Sequence, residues 1–196
     1  AAGVSLWYFG LVIGLIGAGV AGVFLLRGTP WQFLHDYQYR RIDTFLDPSA
    51  DPLGAGYNIL QAKIALGSGG MAGKGFMQGT QSRLNFLPEK HTDFIFTTLG
   101  EEFGFVGAIS LLTVYAAILI FLFWAAMQNK DRFSALLLIG IGANFFLYLA
   151  VNLAMVMGMA PVVGVPLPFL SYGGSATLVL LLAFGLAQSA IVHRLR

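Results

Sequence analysis

Residues 86–96 read FLPEKHTDFIF, a knot of polar side chains from Glu89 to Asp93 at the mouth of a long apolar segment. Asp93 is a carboxylate at an expected helix start, and the loop before it carries Arg40, Arg41, Lys63, Lys74, Arg83 and Lys90. Such a set, with His91 beside it, could take a proton from a hydroxyl while cations steady a departing phosphate. Competing expectations attach to the same residues. An Asp at a helix N-terminus is commonly a cap, and Arg40, Arg41 and Lys63 would serve equally as contacts to lipid headgroups. No zinc site is expected, because His35 and His91 are isolated and His193 lies in the C-terminal tail.

The elements that must position Asp93 belong to a membrane protein. Hydrophobic residues make up 57 % of the chain and charged residues 10 %, and mean hydropathy is +0.77, whereas a soluble domain is charged at about a quarter of its positions. Of the 20 charged residues, 15 fall between Arg27 and Glu102, and none falls between Phe103 and Gln128. Cysteine is absent, so there is no disulfide framework. A net charge of +2 carries no argument as a total, and no nucleic-acid partner is expected. With neither an initiating Met nor a signal peptide, the chain is expected to be part of a longer protein.

The reading is an all-α integral membrane protein: one membrane-domain fragment, 1–196, with about four spans at 4–26, 94–128, 133–157 and 171–192. The first span is long enough, at about 34 Å of helix, to cross a hydrocarbon core of about 30 Å. In it Gly10, Gly14, Ala18 and Gly22 recur every four residues, a face suited to close approach by another helix. Loop 27–93 is too rich in aromatics for a solvated linker. A helix is expected within 31–46, ended by Asp47-Pro48, and a short interfacial or re-entrant one over 57–66 with Tyr57, Leu60 and Ile64 on one face.

Between them and Asp93, residues 67–80 read GSGGMAGKGFMQGT. The phosphate-cradling pattern G-x-x-x-x-G-K-[ST] fails twice, at Ser68 and at Gly75. What survives is a glycine turn able to bend sharply toward a bulky ligand, with Lys74 presented to a phosphate. Glu101 and Glu102, about 12 Å below Asp93 along a helix, suit a salt bridge better than a metal. Asn144, Tyr148 and Asn152 make a polar stripe expected to bond another helix. Lys130, Arg132, Arg194 and Arg196 mark the cytoplasmic side, so loop 27–93 is expected outside and the C-terminus inside.

Residues 152–176, NLAMVMGMAPVVGVPLPFLSYGGSA, closely resemble the C-terminal signature of the SEDS family (shape, elongation, division and sporulation). The matching positions are Asn152, Pro161, Gly164 and the run Ser171, Tyr172, Gly173, Gly174 and Ser175. The loop from Asp51 to Phe96 is similar to the elongation branch of that family. The resemblance implies the later part of a ten-span fold in a bacterial plasma (inner) membrane. It further implies a peptidoglycan glycosyltransferase that polymerises lipid II, with the acidic residue of the H-T-D motif, here Asp93, essential. A class B penicillin-binding protein, a transpeptidase, is the implied partner beside lipid II and membrane lipids.

Chemistry agrees with that implication. A lipid diphosphate is its own leaving group, so an inverting displacement needs one base and several cations, not a carboxylate pair. No motif demands a cofactor, although a divalent ion, Mg or Mn, could lie near Asp93 and the diphosphate. An ordinary Asp titrates near 3.9, and a helix N-terminus favours its charged form while burial opposes it. Thr92 is therefore the preferred cap, leaving Asp93 to act as base. Two other functions fit the residues: a lipid II flippase, suggested by the asparagine stripe and proline-broken last span, and a non-catalytic scaffold for a transpeptidase.

Overall fold

The computed structural model describes residues 6–29, 32, 34–51, 54–83 and 92–193. These residues form helices and turns, without a strand, in two compact units, 1–43 and 44–196.

In the first unit, α1 (Leu6–Leu25) is the apolar helix expected there. Among the described residues, no atom comes within 4 Å of a β-carbon built on Gly10 or Gly14, at the upper part of that small face. Below α1, Arg27 makes a two-bond pair with Asp43, at 2.7 and 2.5 Å, and stacks its guanidinium over the Tyr39 ring. The hydrogen bonds from Arg27 hold the exposed Asp43 carboxyl below its usual range. The Tyr39 hydroxyl donates to the Val23 carbonyl at 2.8 Å. Helix α2 (Asp36–Leu46) ends as expected at Asp47-Pro48, where Asp47 caps a single turn of 3-10 helix, Pro48–Ala50.

The second unit is built on α3 (Ala55–Ser68), the short α4 (Thr80–Arg83), α5 (Ile95–Gln128), α6 (Arg132–Val156) and α7 (Gly174–Val192). The last three are long and apolar enough to cross a membrane. Their shared core joins Tyr115 of α5, Phe145 and Leu149 of α6, and Leu180 of α7 to Ala62 of α3 and Leu167 of the α6–α7 connector. Phe145 meets Phe184 edge to face, and the Tyr115 hydroxyl donates to the Pro168 carbonyl at 2.6 Å.

The face of α3 that packs inward is Gly56, Ile59, Ala62 and Ala65, while Leu60 and Ile64, on the face noted in the sequence, are exposed. One expectation is corrected: α5 is not one continuous helix. At Gly104 the backbone takes φ 64 and ψ −160, a break at the point where the charged upper turns meet the chargeless span.

Helix ends follow local chemistry. Asp131 caps α6 by accepting from the Ser134 N–H at 2.9 Å and the Ser134 hydroxyl at 2.6 Å. At its other end, Gly158 (φ 68) closes a Schellman turn through Gly158 N–Met155 O and Met159 N–Ala154 O bonds. The N-cap of α5 is Phe94, without a side-chain capping bond, later than the Thr92 expected from sequence. The fourth span begins as helix at Gly174, because residues 161–173 run extended or in turns behind their prolines.

Candidate active site

Asp93 stands at the turn leading into α5, half-buried, and its main chain is held from the α6–α7 side. Asn152 of α6, fully buried, donates through Nδ2 to the carbonyl oxygens of both Asp93 (2.8 Å) and Val165 (2.7 Å). Ser171 adds a second grip: its hydroxyl donates to the Thr92 carbonyl at 2.5 Å and accepts from the Leu167 N–H at 2.7 Å. Gly164, at φ 82, lies under the Asp93 carboxylate, and a β-carbon there would stand 3.1 Å from Oδ2. Buried Phe94 and Phe96 anchor the following turn in the core. The stripe expected on α6 is thus used at one end only. Asn152 bonds a turn and a connector rather than a helix, while Asn144 is exposed.

The rest of the signature shapes the same connector. Pro161 lies in the extended stretch, Gly173 is the N-cap of α7, Gly174 is its first residue, and Ser175 follows in its first turn. Tyr172 is exposed.

The loop cations fall into separate settings. Lys63 leaves α3 and lies over Gly158, where a β-carbon would collide with its Cε and Nζ, so Lys63 and Asp93 touch one connector six residues apart. Lys74 is held 2.9 Å from Glu101 Oε1 and 2.7 Å from the Thr80 hydroxyl. Glu101 is completely buried, and its Oε1 also accepts from the Gln81 N–H at 2.9 Å and the Thr80 hydroxyl at 3.1 Å. The salt bridge expected of the Glu101–Glu102 pair is therefore made by Glu101. Arg40 and Arg41 are exposed on α2, and Arg83 is the last residue of α4. Lys90 and His91 lie outside the described residues. Among the described residues, no three His, Asp or Glu side chains come together as a metal site.

The glycine turn approaches a helix where sequence suggested a ligand. Phe105 N bonds Gly70 O at 2.9 Å, Val106 N bonds Met71 O at 3.1 Å, Lys74 N bonds Glu101 O at 3.0 Å, and Gly75 N bonds Glu102 O at 2.9 Å. A regular helix would instead join Phe105 N to Glu101 O and Val106 N to Glu102 O. The turn thus takes up the four backbone groups that the break at Gly104 releases. An apolar groove of about 470 Å³ borders the break, lined by Met71, Phe96, Gly104, Phe105, Leu112 and Met157 among others.

With this geometry in view, the chain belongs to the cell cycle protein family of FtsW, RodA and SpoVE, the SEDS family, whose description it matches over residues 1–195. It is 50 % identical over 190 residues to the Escherichia coli K12 protein named peptidoglycan glycosyltransferase MrdB, covering 96 % of this chain and 51 % of that protein. It is 39 % identical over 188 residues to the Treponema pallidum peptidoglycan glycosyltransferase RodA, covering 95 % of this chain and 41 % of that one. In three dimensions it resembles a chain of a peptidoglycan synthase complex that coordinates polymerisation and crosslinking. That match has TM-score 0.70 and 30 % identity over 97 % of this chain and 51 % of the other. The chain spans about half the length of the curated relatives it matches.

Proposed function

We propose that the intact protein is a peptidoglycan glycosyltransferase that polymerises lipid II during cell elongation, with Asp93 as general base. The observation that carries this reading is the double grip on the Asp93 turn. Asn152 and Ser171 bind the carbonyls of Asp93 and Thr92, and Gly164 lies beside the carboxylate. A carboxylate whose main chain is fixed by buried partners is held in a defined position, as chemistry requires. The names of the relatives support the reaction.

In this mechanism the Asp93 carboxylate accepts the proton of an acceptor sugar hydroxyl as its oxygen attacks the anomeric carbon of the donor. The bond from that carbon to the lipid diphosphate breaks with inversion, the diphosphate leaves with the electron pair, and Asp93 later returns its proton to water. Cations from the loop, with Arg40, Arg41, Lys63, Arg83, Lys90 and His91 as candidates, stabilise the leaving group. A Mg or Mn ion on the diphosphate would supply the same charge. The apolar groove beside the break suits the hydrocarbon of such a substrate. In this reading loop 27–93 is extracytoplasmic, the C-terminus is cytoplasmic, and a class B penicillin-binding protein crosslinks the product.

The test is reconstitution of the intact protein in liposomes with lipid II. Glycan strands from wild type and none from Asp93→Asn support the assignment. Transbilayer movement of lipid II without polymer would replace it with a transporter, and full function of the Asp93 variant in cells would favour a scaffold.

A further inference from the structure

The break in α5 is bridged twice by the same loop, once through backbone and once through charge. Glu101 lies three residues above Gly104. Its carbonyl accepts the Lys74 N–H, and its carboxylate accepts the Lys74 ammonium, the Thr80 hydroxyl and the Gln81 N–H. Lys74 therefore touches Glu101 with both its main chain and its side chain. Gly69 and Gly73 bring the loop so close that a β-carbon on either would collide with carbonyl oxygens of α5, those of Gly100 and Glu102. If the loop withdrew, the four released backbone groups would lose these partners, and re-forming the regular helix would pair them again. The segment above the break would then turn relative to the span below it. Asp93 stands at the upper end of that segment.

We infer that the Lys74–Glu101 ion pair is a positioning device: it holds the glycine loop as a splint in the break of α5 and so sets the direction of the turns that carry Asp93. Lys74 then acts through Glu101 rather than on the substrate diphosphate. The inference deepens the proposed function and rests on the role given there to Asp93.

The experiment uses the intact protein in nanodiscs, with variants Glu101→Gln, Lys74→Met, the double variant, and the reversed pair Lys74→Glu with Glu101→Lys. Amide hydrogen exchange is followed for the segments around 70–75 and 101–106, and lipid II polymerisation is measured as kcat and KM. Each single variant is expected to speed exchange in both segments together, by about tenfold or more, while α6 and α7 keep their protection. In the same variants kcat falls by about tenfold or more with KM nearly unchanged. The double variant is no worse than either single one, and the reversed pair regains part of both signals.

Unchanged exchange in Glu101→Gln would overturn the inference. So would Lys74→Met raising KM at constant kcat, the mark of a lysine that binds substrate, or loosened exchange with kcat intact. A wild-type protein that makes no polymer would refute the proposed function instead, and the exchange arm alone would then decide on the latch.

Discussion

The Asn152 amide nitrogen lies 2.8 Å from the main-chain oxygen of Asp93 and 2.7 Å from that of Val165. One buried side chain thus joins the turn before α5 to the proline-rich connector. Because that bond is to the Asp93 carbonyl, the Asn152 grip holds the main chain of the turn and does not engage the carboxylate.

Replacing Asp93 with Asn keeps the backbone carbonyl and nearly the side-chain volume while removing the base. Polymerisation should fall by about 10²- to 10⁴-fold, the usual contribution of a general base. The thermal midpoint should stay within about two degrees of wild type. Activity above a tenth of wild type in glycan-strand assays would remove Asp93 from the mechanism.

Asn152 should behave in the opposite way. Alanine there strips two part-buried carbonyls of a donor, at about 2 kcal/mol in total, and aspartate, an isostere, would set a negative charge against the same two oxygens at greater cost. Both variants should lower the thermal midpoint, with Asn152→Asp the worse, and both should slow polymerisation although Asp93 is intact. Equal stability of Asn152→Asp and wild type would contradict the geometry.

The spans were legible because lipid demands long chargeless runs, and the region from Phe103 to Gln128 carries no charge at all. Asp93 and the Asn152–Ser171 signature were legible as polar residues in an apolar setting, and their contacts span 59 and 79 residues, beyond any local pattern. Gly104 was not legible as a break, since Gly100 and Gly107 stand beside it and nothing local distinguishes them. Its partners come from a loop about 30 residues earlier, and only the fold brings Lys74 to Glu101.

Asp131 offers a pH test outside the membrane spans. The Ser134 hydroxyl, then the Ser134 and Phe133 N–H groups, hold its exposed carboxyl below the ordinary carboxylate value. A depressed folded pKa adds stability above the unfolded value, near 3.9, and that stability is lost as pH falls through the lowered folded pKa. The midpoint of wild type minus that of Asp131→Asn should therefore be positive at pH 7 and shrink below about pH 4. A difference that grows with acid would show that the cap carries no charge-dependent stability.

Three glycine-to-alanine variants separate space from conformation. At Gly104, φ 64 with ψ −160 is a region almost closed to other residues, and a β-carbon would strike the Gly73 nitrogen and the Met71 main chain. Gly73, at φ 79, would strike the Glu102 carbonyl from the other side of the same junction. Each substitution should cost about 2 kcal/mol or more and expel the loop from the break. Gly67 is in α3 and meets nothing within 4 Å, so alanine there should be neutral or stabilise by up to about 1 kcal/mol. Because Gly104 and Gly73 press on one contact, the double variant should lose less than the two single losses added together. Thermal unfolding of wild type and the four variants in one detergent checks this, and fully additive losses would mean that the loop and the break are independent.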